Sequence, residues 1–133
     1  MDPIADMLNK IKNAAKAGKE SVSFSHSKIK EAIVNVLKEA GYLQSVVVSS
    51  DKKFGKRIEA KLVFTKKGTS VVSKINNITR VSKPSRRIYK NVAEIVPVNQ
   101  GFGLAVVSTN KGLMTDVEAR KKGLGGELLC KIW

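Results

Sequence analysis

The chain has 133 residues, 42% of them apolar, enough for a buried core and too many for a disordered tail. Twenty-five Lys and Arg against eleven Asp and Glu leave a net charge of +14, a self-repulsion that an acidic polymer would relieve. No apolar run approaches the roughly 20 residues of a spanning helix, and the start MDPIADMLNK has an acid where a signal peptide would be positive. The single cysteine, Cys130, excludes an internal disulfide and reads as a small core residue, as expected in a reducing cytosol or an organelle matrix.

Asp2-Pro3 is a good helix opening, the Asp able to accept from free amides and Pro losing nothing at the first helical position. Ile4, Met7, Leu8, Ile11 and Ala15 follow helical spacing, and Gly18 offers a stop. A short strand is expected at Val22–Phe24. A second helix opens near Ser27, carries Ile29, Ala32, Ile33, Val36, Leu37 and Ala40 on one stripe, and ends at Gly41. Leu43–Ser49 and Ile58–Thr65 read as strands joined by the turn Asp51-Lys52-Lys53-Phe54-Gly55-Lys56. Lys66-Lys67-Gly68-Thr69 reads as a linker.

The remainder is richer in β pattern. Val71–Ile78 fits either a strand or a distorted helix, and Ser82–Ser85 is a turn because Pro84 fixes one dihedral and restricts its predecessor. Arg87–Lys90 is expected as a strand, Val92–Val96 as a helical turn, and Gly103–Ser108 as a central strand. Thr115-Asp116-Val117-Glu118 has the form of a capping box for a short helix that runs to Lys122 and stops at Gly123. Glu127–Trp133 closes the pattern. The fold class is therefore α+β: an N-terminal α-β-α-β-β layered unit over residues 1–66 and a β-rich unit with one short capped helix over residues 67–133. Residues 1–66 carry thirteen bases and seven acids and residues 67–133 twelve and four, so the second half leans towards being the contact face.

Enzyme readings fail on inventory. His26 is alone and suits a surface or helix-entry position; it forms no metal cluster and has no local motif joining it to Cys130. Gly101-Phe102-Gly103 and Gly123-Leu124-Gly125-Gly126 lack the third glycine of a dinucleotide loop, and neither ends in Gly-Lys-Ser/Thr. Both read as backbone hinges. No catalytic residue, metal site or cofactor is expected.

The polar cluster Ser108, Thr109, Asn110 and Lys111, followed by Gly112, is better matched to hydrogen-bonding sugars, phosphates and base edges. Double-stranded RNA hides its bases in a deep major groove and shows 2′-hydroxyls in a shallow minor groove. Short side chains that both donate and accept can reach that surface, Lys111 adds phosphate attraction, and Gly112 permits close backbone approach. A second group, Lys83, Pro84, Ser85, Arg86, Arg87, Ile88 and Tyr89, pairs guanidinium forks with a ring that can stack on a base or sugar. The bland alternatives are a merely polar turn and a Tyr89 in the core; the net charge weighs against both. A DNA-architectural module would bind any duplex and tolerate change at Ser108–Asn110. A membrane-surface protein would need an amphipathic helix with bulky apolar anchors, which is missing from the pattern.

The segments DPIADMLNKIKNA, SKPSRRIY and STNKGLMTDVEARKKGLGGELLCKIW together resemble the universal family of small-subunit ribosomal protein eight, in order and over essentially the full length. The bacterial type, organellar versions included, is the nearest in length. The resemblance implies a ribosomal, cytoplasmic or organellar, protein that is monomeric when free and needs no cofactor. It would bind the central domain of small-subunit rRNA early in assembly, mainly through its C-terminal half. Neighbouring small-subunit proteins and, as in some relatives, its own messenger RNA would be further partners. Ser108, Thr109 and Lys111 match the family's RNA-contacting turn, Tyr89 its aromatic contact, and Glu127 a carboxylate near the same surface. That carboxylate would accept from a base amino group or a 2′-hydroxyl, or orient neighbouring donors. Lys12 and Asn13 on the first helix, and Lys28 and Lys30 on the second, would add backbone contacts. The chain departs from the family pattern at Asn110 (usually serine), Ser85 (commonly glycine) and Lys131 (typically aromatic).

Overall fold

The computed structural model describes residues 2–53 and 55–133. They fall into two compact units, Pro3–Asn76 and Asn77–Trp133, the latter including Asp2.

In the first unit, α1 (Pro3–Ala17) buries Ile4, Met7, Leu8, Ile11, Ala14 and Ala15, the stripe expected from its spacing. Strands β1 (Ser21–Ser25), β2 (Leu43–Asp51) and β3 (Gly55–Leu62) form an antiparallel sheet with β3 in the middle. β3 alternates buried Ile58, Ala60 and Leu62 with the outward Arg57, Glu59 and Lys61, so one face is core and the other solvated. Helix α2 (Lys28–Glu39) is capped by Ser27, whose hydroxyl accepts from the Lys30 amide at 3.2 Å. Its buried stripe is Lys30, Ile33, Val34 and Leu37, rotated by about one position from the expected one, and Ile29 is exposed. The helix carries more apolar residues than its covered face can hold, so packing, not spacing, selects among them.

The expected strand Ile58–Thr65 breaks at Val63 into β3 and β4 (Phe64–Lys67), and β4 pairs with β5 (Ser70–Ser73) as a separate ribbon. The stretch read as a linker is the turn of that ribbon, with Gly68 at a φ of +67°, and the division between units falls at Asn76 and Asn77 instead. In the Asp51–Lys56 turn, Asp51 accepts from the Lys53 amide at 2.8 Å, while Phe54 lies outside the described residues.

The second unit is built on one antiparallel sheet in the order β6 (Ile78–Arg80), β10 (Gly126–Ile132), β8 (Leu104–Thr109), β9 (Gly112–Thr115), with β7 (Tyr89–Lys90) also paired to β10. Ala105, Val107, Met114 and Leu128 from the sheet pack with Ala119 of α3 (Asp116–Lys122) and with Ile95 and Val98. On the opposite face Leu104, Val106, Cys130 and Ile132 are also buried, which explains the near-continuous apolar runs of β8 and β10. Val71–Ile78 resolves into the separate strands β5 and β6. Strand β9 had no signal beyond its neighbours, being four residues between a turn and a cap.

Caps differ in detail from expectation. Thr115 accepts from the Glu118 amide at 3.2 Å without the reciprocal carboxylate bond, whereas Asn91 and Glu94 make a complete capping box on the Val92–Glu94 turn. The Asp2 carboxylate, expected to cap α1, accepts from Arg80 Nε at 3.0 Å. Arg80 also donates to the carbonyl of Leu129 at 2.6 Å, at the register shift between Leu128 and Cys130.

Candidate nucleic-acid interface

β8 and β9 form a hairpin in which Ser108 pairs with Leu113 and Thr109 with Gly112, leaving Asn110 and Lys111 as its exposed turn. The Thr109 hydroxyl donates to the Gly112 carbonyl at 2.8 Å and accepts from the Lys111 amide at 3.1 Å. It braces the turn, with one lone pair left for an outside donor. Gly112 has a φ of +108° and nothing within 4 Å of a Cβ position, so within the protein glycine is required by conformation, not by crowding.

Ser108 belongs to a row of paired residues that crosses the sheet. Leu113 of β9 pairs with Ser108 of β8, Ser108 with Glu127 of β10, and Glu127 with Tyr89 of β7. Directly paired residues share a face, so a hydroxyl, a carboxylate and a phenol stand side by side. Tyr89 is 68% exposed, which removes the core reading of this ring. The glycine hinge lets the strands meet here. A Cβ on Gly126 would lie 2.1 Å from the Ser108 carbonyl oxygen, and one on Gly125 would lie 2.6 Å from that of Lys90.

Glu127 is held by its own neighbours: its Oε2 accepts from the Ser82 hydroxyl and, at 3.2 Å, from Arg87 Nη1. Such pairing lets a carboxylate sit on a basic surface without an uncompensated charge. The Ser82 hydroxyl also accepts from the Ile88 amide at 3.2 Å. Between them Lys83 and Arg86 exchange backbone hydrogen bonds at 2.9 and 3.0 Å, with Pro84 and Ser85 at the tip. Ser85 does not have a positive φ, so this turn makes no demand for glycine. Lys83, Pro84, Ser85, Arg86 and Arg87 are all exposed. In the sequence Ser82 shows only as the start of the Lys-Pro turn; nothing local marks its hydroxyl as a partner of Glu127.

The other expected contacts belong to the Pro3–Asn76 unit. Asn13 and Lys28 are exposed and Lys12 half-buried. Asn13 lines an open groove of about 420 Å³ with Lys10, Lys19, Ser21 and Ser23. Lys30 differs from Lys28 in being buried, and its Nζ donates to the Ser25 carbonyl at 3.3 Å and hydroxyl at 3.1 Å, so its ammonium already has partners within the protein. Of the family departures, Asn110 is exposed at the hairpin tip, and Lys131 is half-buried beside Pro97, Val98 and Trp133.

Among the described residues no group of three or more His, Cys, Asp or Glu could hold a metal ion. Burial pushes the Cys130 thiol up from 9.0 to about 12, against a smaller opposing effect of the Arg80 charge, so it is no nucleophile. No helix among the described residues is long and apolar enough to cross a membrane.

The chain matches the family described as Ribosomal protein S8 over residues 2–133. The small ribosomal subunit protein uS8 of Neisseria meningitidis serogroup C is 50% identical over 129 residues, covering 97% of this chain and 95% of the relative. That of Sulfurihydrogenibium sp. is 46% identical over 136 residues, covering 99% and 98%. The uS8 of Mesomycoplasma hyopneumoniae strain 7448 is 45% identical over 132 residues, covering 99% and 96%. The family consists of structural proteins of the small ribosomal subunit, not enzymes. With the family matched over residues 2–133 and a relative 50% identical over nearly its whole length, this chain belongs to the ribosomal protein S8 family.

Proposed function

We propose that this chain binds an irregular helix in the central domain of small-subunit rRNA, through the shallow minor groove and the backbone, and so supports assembly of the subunit. The observation that carries the reading is the row Ser108–Glu127–Tyr89 beside the Asn110–Lys111 turn: hydrogen-bonding groups and an exposed ring on one sheet face. A minor-groove surface of 2′-hydroxyls, base edges and sugars offers partners for each. Lys111, Lys83, Arg86 and Arg87 supply attraction to phosphates, and Lys12, Asn13 and Lys28 of the other unit are candidates for further backbone contact. Neighbouring small-subunit proteins are the other expected partners.

Ser108 is the cleaner residue to test, because the Thr109 hydroxyl also makes two hydrogen bonds that brace the turn. Ser108→Ala is expected to weaken binding to a central-domain rRNA fragment by about 1–3 kcal/mol, the usual cost of one unsatisfied polar partner. Binding to an unrelated RNA duplex should barely change. Filter binding of both proteins to both RNAs measures this; equal losses on the two RNAs would make Ser108 a contact common to any RNA helix and remove it from recognition.

A further inference from the structure

We propose that Ser82 is a positioning residue for this surface: its buried hydroxyl clasps the Lys83–Arg87 loop shut and, through Glu127, aims Arg87 at the RNA. The inference rests on the RNA-binding reading above. Ser82 is fully buried, and its hydroxyl is used in both directions, donating to Glu127 and accepting from the Ile88 amide. That second bond joins the two ends of the loop. Each end is also tied to β10: the Ser82 amide donates to the Leu129 carbonyl at 3.4 Å, and the Leu128 amide to the Ile88 carbonyl at 2.9 Å. Glu127 lies at this junction and holds one Arg87 nitrogen. The Arg87 side chain is 48% exposed, so an arginine anchored at one nitrogen remains open to an outside acceptor. An arginine held in this way loses less rotamer freedom on meeting a phosphate or sugar than a free one. Tyr89, which pairs with Glu127, follows directly after the clasped Ile88.

The test is a mutant cycle. Wild type, Ser82→Ala, Ser82→Thr, Arg87→Ala and the Ser82→Ala/Arg87→Ala double variant are titrated with a central-domain rRNA fragment at several salt concentrations. Ser82→Ala is expected to weaken binding roughly ten- to a hundredfold and to lower the salt slope by about one unit or less, as Arg87→Ala does. The double variant should lose little beyond either single one, and Ser82→Thr, which keeps the hydroxyl, should restore affinity and slope. In the free protein, hydrogen exchange at the Ile88 amide should accelerate in Ser82→Ala and not in Ser82→Thr. Additive losses, or unchanged affinity and slope in Ser82→Ala while wild type binds, would overturn the proposal. Should Ser82→Ala not fold, the cycle is run on Ser82→Cys, a near-isosteric and weaker donor, with Arg87→Ala, where coupling supports the clasp and additivity overturns it. If wild type itself does not bind the fragment, the rRNA reading falls, while Ile88 exchange still decides whether the clasp exists.

Discussion

Single residues in this protein do different work from what their chemistry suggests in isolation. Thr109 looks like a donor to RNA and is a brace of its own turn. Glu127 looks like a misplaced charge and is a fastener between Ser82 and Arg87. Gly126 bears on both stability and recognition, since a methyl group there would lie 2.1 Å from the Ser108 carbonyl oxygen, a backbone atom with little freedom to retreat. Gly126→Ala is therefore expected to cost about 1–3 kcal/mol or more, as overpacking does, and to displace Ser108 as well. Urea unfolding and rRNA binding, measured on the same preparation, should both deteriorate. A variant with wild-type stability and affinity would show that the strands can part without harm.

Among the elements, β10 organises the C-terminal unit. It pairs with β6, β7 and β8, and it brings Glu127 to the proposed interface at one end and Cys130 to the core in its middle. The register shift between Leu128 and Cys130 leaves the Leu129 carbonyl to accept from Arg80 and from the Val81 amide at 3.0 Å. Cys130 offers a probe of this strand. Its folded pKa, about 12, lies above the ordinary 9.0, so the native state holds its proton where the unfolded chain releases it. The resulting stability is fully present below about pH 9 and is lost as pH rises towards 12. Urea midpoints measured from pH 8 upward should fall more steeply for wild type than for Cys130→Ala. Parallel curves would mean that the thiolate is tolerated in the strand.

At the scale of the molecule, a net charge of +14 makes salt-sensitive binding to a polyanion the expectation, and the number of cations that meet phosphates sets the slope. Cations do not contribute equally, as a pair on one helix turn illustrates. Lys28 is exposed, whereas Lys30 is buried and bonded to Ser25. Lys28→Ala is expected to lower the salt slope of rRNA binding by about one unit or less, with stability unchanged. Lys30→Ala should leave the slope alone and lower the unfolding midpoint. Salt titrations and thermal melts of the two variants distinguish these roles, and a reversed pattern would put Lys30, not Lys28, at the RNA.

The α+β class, both long helices, the central strand that carries Ser108 and the polar turn beyond it were legible in the chain, because helical spacing, Gly stops and turn residues are local signals. So was the lean towards an acidic polymer as partner, since charge is a sum over residues and needs no coordinates. What only tertiary structure decided was long-range pairing: that β10 lies between β8 and β7, and that Ser82 reaches Glu127 across 45 positions. The same holds for the face of α2 that is covered and for the ribbon at Gly68, which composition alone made look like a linker. Each of these depends on which distant backbone satisfies a given hydrogen bond or buries a given side chain, and no local pattern carries that information.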